Sequence, residues 1–303
     1  MTLQQMYYAI QVASQGSMNK AAEKLYISQP TLTSAIKEME NELGIAIFNR
    51  HSKGVSLTPE GQDFLNEARQ IYQQYELLMD RYGDVKRIRQ KFAVSTQHYS
   101  FAVKAFVDTV KQFDTLNYDF AIRETKTYEV IRDVASGRSE IGILFESTFN
   151  KKMIRKLLYE NGLDFKPLGD CEAYVYLHKS HPLADRAEIS FEELADYPCL
   201  SFEQGKGGSA FLAEEILSDR EYDRTIKAND RATMLNLMIG VNGYTLCSGV
   251  ICEELNGSEY RVVPFRSDEK NPNDKMTIGY ITRRGSRLSR IGDIYIEEIR
   301  KYL

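Results

Sequence analysis

A proline lies between two stretches of helical periodicity near the start of the chain, in the segment AAEKLYISQPTLTSAIKEME at residues 21–40. Proline lacks a backbone N–H and disrupts a helix interior, but it fits the first turn, where that donor has no helical partner. Ser28, two residues earlier, is of the type preferred as an N-cap. Pro30 therefore predicts the start of a helix. Its expected apolar face consists of Leu32, Ala35, Ile36, Met39 and Leu43.

A second helix is predicted just before this one, because Met18, Ala21, Ala22 and Leu25 share a face and Ser17 can cap it. The predicted link, residues 26–28, is only about three residues long. Two helices joined so closely fit a helix-turn-helix, in which the second helix presents its N-terminal residues to base edges in the major groove. An ordinary helical hairpin has the same spacing, so spacing alone leaves both interpretations open.

The outer face of the predicted second helix carries hydroxyls, amides and one lysine, whereas a merely solvated helix usually carries Glu/Lys pairs. Hydroxyl and amide groups can hydrogen-bond to base edges, and lysine can contact bases or phosphates. We therefore expect this face to contact DNA. The residues concerned are Gln29, Pro30, Thr31, Thr33, Ser34 and Lys37.

A short hairpin with a basic tip is predicted after this helix, because Ile45, Ile47, Val55 and Leu57 flank the run RHSKG. Such a hairpin would form a wing beside the helix. Basic side chains at its tip suit phosphate contacts, which position a protein without reading sequence. A histidine at the tip is expected to be a surface residue, since no second metal ligand lies nearby. The expected DNA-facing residues of the tip are Arg50, His51 and Lys53.

Residues 1 to about 61 resemble the DNA-binding end of LysR-type transcriptional regulators. The resemblance is carried by GSMNKAAEKLYISQPTLTSAIKEMENELGIAIFNRHSKGVSLTPEG. Its Gly-Ser, Ala-Ala, Ser-Gln-Pro, Leu-Gly, Phe-x-Arg and Leu-Thr-Pro-x-Gly elements stand at that family's spacing. Met18 and Thr33 replace a more usual aromatic residue and serine, and Thr33 keeps the hydroxyl. The resemblance implies a mainly α-helical winged helix-turn-helix domain at residues 1–58.

A long helix is predicted to begin at Thr58-Pro59-Glu60 and to run to about Arg89. Its apolar residues alternate spacings of four and three, as in a coiled-coil seam, although further apolar residues widen the face. We interpret residues 59–90 as a linker that dimerises the chain, which fits the family's long connecting helix. Two linked heads would bind a two-fold-related site in double-stranded DNA with added affinity. The seam consists of Phe64, Ala68, Ile71, Tyr75, Leu78, Tyr82 and Val85.

The remaining part, residues 91–303, alternates strand-like and helix-like segments, which predicts parallel sheets covered by helices. The order of segments suggests two α/β lobes, one at about 91–162 and 268–303 and the other at about 163–267. Crossovers are expected near 161–166 and 264–275. One of the predicted helices, SAFLAEEIL, spans residues 209–217.

Ligands of open α/β sheets bind beyond the carboxyl ends of the strands, and a cleft between two lobes is a common small-molecule site. The glycine-rich run EQGKGGS at residues 203–209 could hold an anion or form only a flexible turn. An acid at position 203 favours a ligand that also has a cationic group, such as an amino acid, over a simple anion. An organic acid remains a second possibility. The expected effector-binding residues are Ser95, Thr96, Gln97, His98, Thr125, Phe145, Ser201, Glu203, Gln204, Gly205 and Ser248.

This second part also resembles the family's effector-binding domain, which looks like periplasmic solute-binding proteins. The match is more diffuse and rests on ASGRSEIGI and MLNLMIGVNGYTLCS. The chain has Leu246-Cys247-Ser248 where the family usually ends in leucine-proline. The resemblance implies that dimers pair into tetramers.

Composition excludes several other classes of protein. The sequence contains no run of about 18 apolar residues, so no membrane span is predicted. The N-terminus lacks the pattern of a signal peptide, and we therefore expect a cytoplasmic protein. The four cysteines are scattered and are expected to be reduced. Cys247 and Cys252 could form a redox pair, but buried structural thiols are the alternative. His178 and His181 are expected to lie in a surface loop and not to bind metal.

These patterns together predict a transcriptional regulator whose activity is modulated by a small molecule. A solute-binding protein and an enzyme that uses the cleft are the alternatives. The sequence contains no nucleophile elbow, metal cluster or carboxylate pair beside a base, so no catalytic residue, cofactor or metal is expected. The expected partners are DNA, an effector, further copies of the chain and RNA polymerase. The effector, the target genes and the direction of regulation stay open.

Overall fold

The protein is described by a computed structural model that covers residues 1–51, 54–82, 90–113, 117–205, 209–266 and 274–303. Within α4, the side chains at 73, 77 and 80–82 lie outside this description. The chain divides into two compact units, an N-terminal unit at Met1–Ile88 and a C-terminal unit at Arg89–Leu303. No helix in the described ranges is long and apolar enough to cross a membrane.

The N-terminal unit contains four helices and one hairpin in its described part. In chain order these are α1 (Leu3–Gln15), α2 (Met18–Leu25), α3 (Gln29–Leu43), β1 (Phe48–His51), β2 (Gly54–Leu57) and α4 (Pro59–Tyr82). The backbone N–H of Thr31 donates to the Ser28 side chain, and Pro30 lies in the first turn of α3. The helix-turn-helix and the wing are therefore confirmed. Strand β1 begins at Phe48, just after the Ile45 and Ile47 that had suggested it.

A glycine next to the tip of the wing, Gly54, fixes the hairpin against the turn between α1 and α2. Gly54 has φ +140°, and a Cβ there would lie 2.4 Å from the carbonyl oxygen of Gly16. The next residue, Val55, donates its backbone N–H to that same oxygen at 3.0 Å. Only glycine allows so close an approach of the two backbones.

The first part of α4 packs on the helix-turn-helix. Leu65 is fully buried in the same core as Leu32 and Ile36. Ala68 is also buried within the protomer, which leaves it no surface to offer a second chain. We therefore remove Ala68 from the expected seam. The side chain of Tyr82 and all of Val85 lie outside the described residues.

The C-terminal unit is built from two five-stranded sheets. Its strands are β3 (Gln90–Thr96), β4 (Tyr118–Glu124), β5 (Ile141–Ser147), β6 (Leu163–Glu172), β7 (Tyr174–His178), β8 (Cys199–Phe202), β9 (Thr225–Ala228), β10 (Tyr244–Cys247), β11 (Tyr260–Pro264) and β12 (Lys275–Arg283). Its α-helices are α5 (Ser100–Lys111), α6 (Thr127–Ala135), α7 (Lys151–Glu160), α8 (Phe191–Leu194), α9 (Arg231–Gly240), α10 (Glu253–Asn256) and α11 (Arg290–Arg300).

The sheets define the two lobes. Lobe I has the strand order β4-β3-β5-β12-β6 and lobe II the order β11-β7-β10-β8-β9. Strand β3 pairs in parallel with β4 and β5, so the carboxyl ends of these three strands lie at one edge of the lobe I sheet. The predicted two-lobed α/β architecture is confirmed.

The first crossover lies later than predicted. Strand β6 pairs with β12 in lobe I along its whole length, from Leu163 to Glu172. The chain therefore passes to lobe II at Ala173, and not near 161–166. The second crossover, expected near 264–275, lies between β11 and β12, and its residues 267–273 are outside the described residues. The two crossovers are joined by a hydrogen bond of 3.1 Å from the Phe265 N–H to the Ala173 carbonyl.

The prediction of a helix at residues 209–217 is wrong. Only a single 3-10 turn forms, at Ala210–Leu212. The segment then departs from helical geometry, and Leu217 has φ +62°. Its two acidic side chains, Glu214 and Glu215, turn inward and bond to other parts of the unit.

Candidate functional site

The outer face of α3 presents polar side chains to solvent. Gln29, Pro30, Thr31, Ser34 and Lys37 are exposed, and Thr33 is half-buried. Neighbouring groups hold several of them in place. The Gln29 amide donates to the Thr33 hydroxyl at 2.8 Å, and the Ser28 and Thr31 hydroxyl oxygens are 2.7 Å apart. The N-terminal turn of α3 thus offers a row of donors and acceptors of the kind that reads base edges.

An exposed tyrosine adjoins this row. Tyr26 lies in the turn between α2 and α3, with 96% of its side chain exposed and a left-handed φ of +57°. A hydroxyl in this position can contact a DNA phosphate. We had assigned Tyr26 no role from the sequence, where the only signal was an aromatic residue inside a polar turn.

The wing supplies one basic side chain among its described residues. Arg50 and His51 are exposed on β1. The His51 Nε2 lies 2.9 Å from the Ser56 hydroxyl of β2, so the imidazole is held across the hairpin. Lys53 lies outside the described residues.

Three residues predicted to touch an effector are instead internal to lobe I. Ser95 is fully buried, donates to Asp133 Oδ2 at 2.7 Å and lies 2.8 Å from the Ser139 hydroxyl. Thr96 is fully buried and donates to the Gln97 carbonyl at 2.8 Å. Phe145 belongs to the hydrophobic core. We correct the expectation for these three, because β3 and β5 are inner strands whose side chains are covered on both faces.

A carboxylate of the chain itself occupies the loop that follows β3. The His98 N–H donates to Glu214 Oε2 at 2.7 Å, and His98 Nδ1 lies 2.8 Å from the same oxygen. The Gln204 amide donates to Glu214 Oε1 at 2.8 Å. The His98 ring stacks on Phe202 of lobe II, with centroids 3.9 Å apart. Glu214 thus connects the two lobes.

The start of α6 is occupied in the same way. The Thr127 N–H donates to Gln204 Oε1 at 3.0 Å, and its hydroxyl donates to the Leu212 carbonyl at 2.7 Å. The Gln97 amide donates to the Thr127 hydroxyl at 2.6 Å. Two backbone N–H groups that could bind an anion at this edge, those of His98 and Thr127, are therefore engaged by the protein.

The other predicted residues of this edge face elsewhere. Glu203 is exposed, and its carboxylate lies 3.9 Å from Lys126 Nζ, so it does not face an enclosed ligand. Ser201 and Thr125 are half-buried. Gly205 has φ +91°, while residues 206–208 of the same loop lie outside the described part.

A cavity of about 70 Å³ lies between α9, β10 and the His98 loop. Its apolar wall includes Met234 and Met238 of α9 and Tyr176 of β7. Of the predicted effector residues, His98 and Ser248 line it. The polar groups beside them are Glu214, Glu215 and Arg231.

One of these polar groups is only half satisfied. Glu215 is 7% exposed and its Oε1 accepts the Phe202 N–H at 2.7 Å. Its Oε2 is buried without a hydrogen-bond partner in the part of the chain that the structure describes. Burial, together with repulsion from Glu214, raises the pKa of Glu215 to about 8, so the carboxyl is protonated at neutral pH. The sequence predicts a helix over these residues and assigns Glu214 and Glu215 no role.

The thiols of Cys247 and Cys252 are unpaired, as are those of the other two cysteines, and Cys252 is buried. Burial raises the pKa of Cys247 to about 12. Reactive sensor cysteines need the opposite shift, toward the thiolate. The structure thus favours the alternative of structural thiols.

A winged helix-turn-helix followed by a two-lobed α/β domain with an internal cavity defines a DNA-binding regulator that carries its own ligand-sensing part. Residues 3–62 match the family model described as bacterial regulatory helix-turn-helix protein, lysR family. Residues 116–303 match the LysR substrate binding domain. The chain belongs to the LysR family of transcriptional regulators, and it is a regulator and not an enzyme.

Similar proteins agree with this assignment. The uncharacterized HTH-type transcriptional regulator YbhD of Escherichia coli is 26% identical over 283 residues, which cover 92% of this chain and 84% of YbhD. The HTH-type transcriptional regulator CysL of Bacillus subtilis is 29% identical over 225 residues, 70% of each chain.

Solved structures show the same fold. A full-length OxyR variant of Pseudomonas aeruginosa has a TM-score of 0.69 at 20% identity, covering 99% of this chain and 95% of that one. An OxyR mutant of Corynebacterium glutamicum has a TM-score of 0.51 at 19% identity, covering 99% and 92%.

Proposed function

We propose that this regulator reads a two-fold-related site in double-stranded DNA with the outer face of α3, and that its effector binds in the cavity beside His98. The observation that supports the first part is the exposed polar row at the start of α3. The second part is supported by a cavity whose lining comes from both lobes. A ligand there can bias the lobes only by its difference in affinity for their arrangements.

Base reading is tested with Gln29→Ala and Ser34→Ala. Each should weaken binding to the cognate site by about 1–3 kcal/mol, as expected for a lost base contact, with little effect on random DNA. Arg50→Ala should instead weaken cognate and random DNA about equally and lower the salt dependence by roughly one counterion.

The matched control is Asn41→Ala, an exposed amide three turns further along α3. It should leave both affinities unchanged in gel shifts at fixed salt. Equal losses on cognate and random DNA for Gln29→Ala and Ser34→Ala would show that these residues position the helix and do not read bases.

We further propose that a second copy of the chain covers the exposed stripe on α4. Ile71 is 46% exposed, Tyr75 36% and Leu78 56%, at the spacing of four and three typical of a seam. Leu78→Asp would bury an unpaired carboxylate in such a contact, which is costly. Sedimentation should then report monomers, and operator affinity should fall because two heads no longer bind together.

The control for this variant is Gln62→Asp, which adds the same charge to an exposed position on the opposite face of α4. It should sediment like the parent. If Leu78→Asp also sediments like the parent, the stripe is not the dimer contact. Pairing of dimers into tetramers and contact with RNA polymerase stay predictions.

The effector cavity is tested by filling it. Met238 is 1% exposed and lines the cavity, whereas its neighbour Ile239 is 50% exposed. In the parent, an effector should change transcription of a reporter placed under the chain's own upstream DNA. Met238→Trp should abolish this response to the same compound, while its DNA binding in gel shifts stays normal. Ile239→Trp should respond like the parent, and a normal response in Met238→Trp would place the effector elsewhere.

A further inference from the structure

Glu215 leaves a hydrogen-bonding group unused at the wall of the cavity. The residue is 7% exposed, and among the described residues only its Oε1 has a partner, the Phe202 N–H at 2.7 Å. Buried carboxyl oxygens nearly always find a partner, so an unsatisfied one beside a cavity indicates where a ligand group would bind. The missing partner of Oε2 is a property of Glu215 itself and does not depend on the neighbouring Glu214.

The groups around Glu215 favour a ligand with positive charge. Glu214 lies beside it with both carboxylate oxygens already accepting hydrogen bonds. Arg231, the cationic side chain that lines the cavity, is engaged in an ion pair with Glu124. The N–H donors at this edge that could attract an anion, those of His98 and Thr127, are occupied by Glu214 and Gln204.

The opposite wall suits an apolar body. Met234 and Met238 bring thioethers, Val250 and Ile251 bring aliphatic groups, and Tyr176 brings an aromatic ring. Thioethers adapt to ligand shape, and aromatic faces attract organic cations. The cavity is small, about 70 Å³, and opens to solvent, so a short alkyl chain can lie partly inside it.

We infer that the cavity binds a small alkyl amine, with its ammonium group at Glu215 and Glu214 and its alkyl body against Met234 and Met238. This inference rests on the proposed function, in which the cavity is the effector site. It also moves the cationic end of the ligand from Glu203, where the sequence had suggested it, to the buried pair.

Proton release should accompany binding. An alkyl amine, like lysine, stays protonated to about pH 10. The Glu215 carboxyl has a pKa of about 8, so at pH 7 it holds a proton that it must lose to the solvent when an ammonium ion binds. Of the groups that face it, burial keeps Tyr99 and Cys199 protonated by raising their pKa values, and His98 is bonded to Glu214. Affinity for the amine should therefore rise with pH up to about 8.

The test uses three probes of equal length and different charge, n-butylamine, 1-butanol and butyrate, titrated calorimetrically into the full chain at pH 7. Butylamine should bind at least ten-fold more tightly than the other two. Titration in two buffers of different ionisation enthalpy should reveal release of about one proton for butylamine and none for butanol.

Glu215→Gln keeps an oxygen that can accept the Phe202 N–H but cannot ionise. It should weaken butylamine at least ten-fold and change butanol less than two-fold. Glu160→Gln, an exposed carboxylate of α7, is the matched control and should change neither.

Two kinds of failure are distinguishable. If butanol or butyrate binds more tightly than butylamine, and Met238→Trp removes that binding, the cavity stands and the amine is the wrong class. Butylamine binding that is unaffected by Glu215→Gln also overturns the inference. If none of the three probes binds, both the amine inference and the proposal that the cavity is the effector site are contradicted.

Discussion

The N-terminal and C-terminal units each carry a row of short polar side chains, but they place it in opposite surroundings. On α3, Gln29, Thr31 and Ser34 face solvent. At the end of β3, Ser95, Thr96 and Gln97 are at most 1% exposed, and each is hydrogen-bonded inside the protein. The residue types are similar, so the surroundings decide what each row does.

An exposed polar side chain hydrogen-bonds to water until a ligand displaces that water. Substituting such a side chain therefore costs the fold little stability. A buried polar group has a fixed partner, and removing one of the two leaves the other desolvated and unpaired. Substitutions in the first row should therefore change DNA binding at constant stability. Substitutions in the second row should change stability first.

The largest expected effect is at Glu215, a buried carboxyl of the C-terminal unit that has one oxygen without a partner among the described residues. Its pKa of about 8 lies well above the ordinary value of 4.5. Between these two pH values the unfolded chain loses the proton and the folded chain keeps it, so stability falls as pH rises to about 8 and then levels off. Glu215→Gln removes this cost and should stabilise the C-terminal unit on the order of 3 kcal/mol at pH 8.

Near pH 4 the same variant should be no more stable than the parent, because both states of the parent are then protonated. Urea unfolding at pH 4.5 and pH 8 measures the difference. If Glu215→Gln raises the free energy of unfolding equally at both pH values, the carboxyl destabilises the fold through its packing and not through its ionisation.

A smaller effect is expected at Ser95. Ser95→Ala leaves the buried Asp133 carboxylate without one of its donors, and should lower the free energy of unfolding by about 1–3 kcal/mol. Ser201→Ala, at a half-buried serine at the end of β8, should cost less than about 0.5 kcal/mol. Equal costs at the two serines would remove the distinction between the surroundings.

The smallest effect on stability is expected on α3. Lys37 is fully solvated on the outer face, so Lys37→Ala should change the free energy of unfolding by less than about 0.5 kcal/mol while it weakens DNA binding. Urea unfolding and gel shifts on the same preparation decide the point. A loss of stability that matches the loss of DNA binding would mean that the two units do not differ in this respect.

The helix-turn-helix could be predicted from sequence because its determinants are local. The Ser28 cap bonds to a residue three positions away, and Pro30 excludes a helix interior by its own chemistry. The same holds for α5, whose apolar residues recur with helical period. The strand β6 has no clean alternation of buried and exposed residues, which is why its place in lobe I was missed.

The proposed effector site could not be predicted in the same way because its contacts are distant in sequence. Glu214 and His98 are 116 positions apart, and their hydrogen bond draws residues 213–217 out of the helix that their composition favours. Ser95 and Thr96 lie at the correct edge of the sheet, but strand ends alone do not reveal which side chains are already paired. The cavity residues on α9 had been read only as a helix that packs on its sheet.

The hydrogen bond between the two crossovers has a mechanical consequence. Two separate straps would let the lobes twist, slide and bend independently. Because Phe265 is bonded to Ala173, the two straps are tied together where the chain passes between the lobes. A hinge rotation about this point would keep the bond, whereas sliding of one strap past the other would break it.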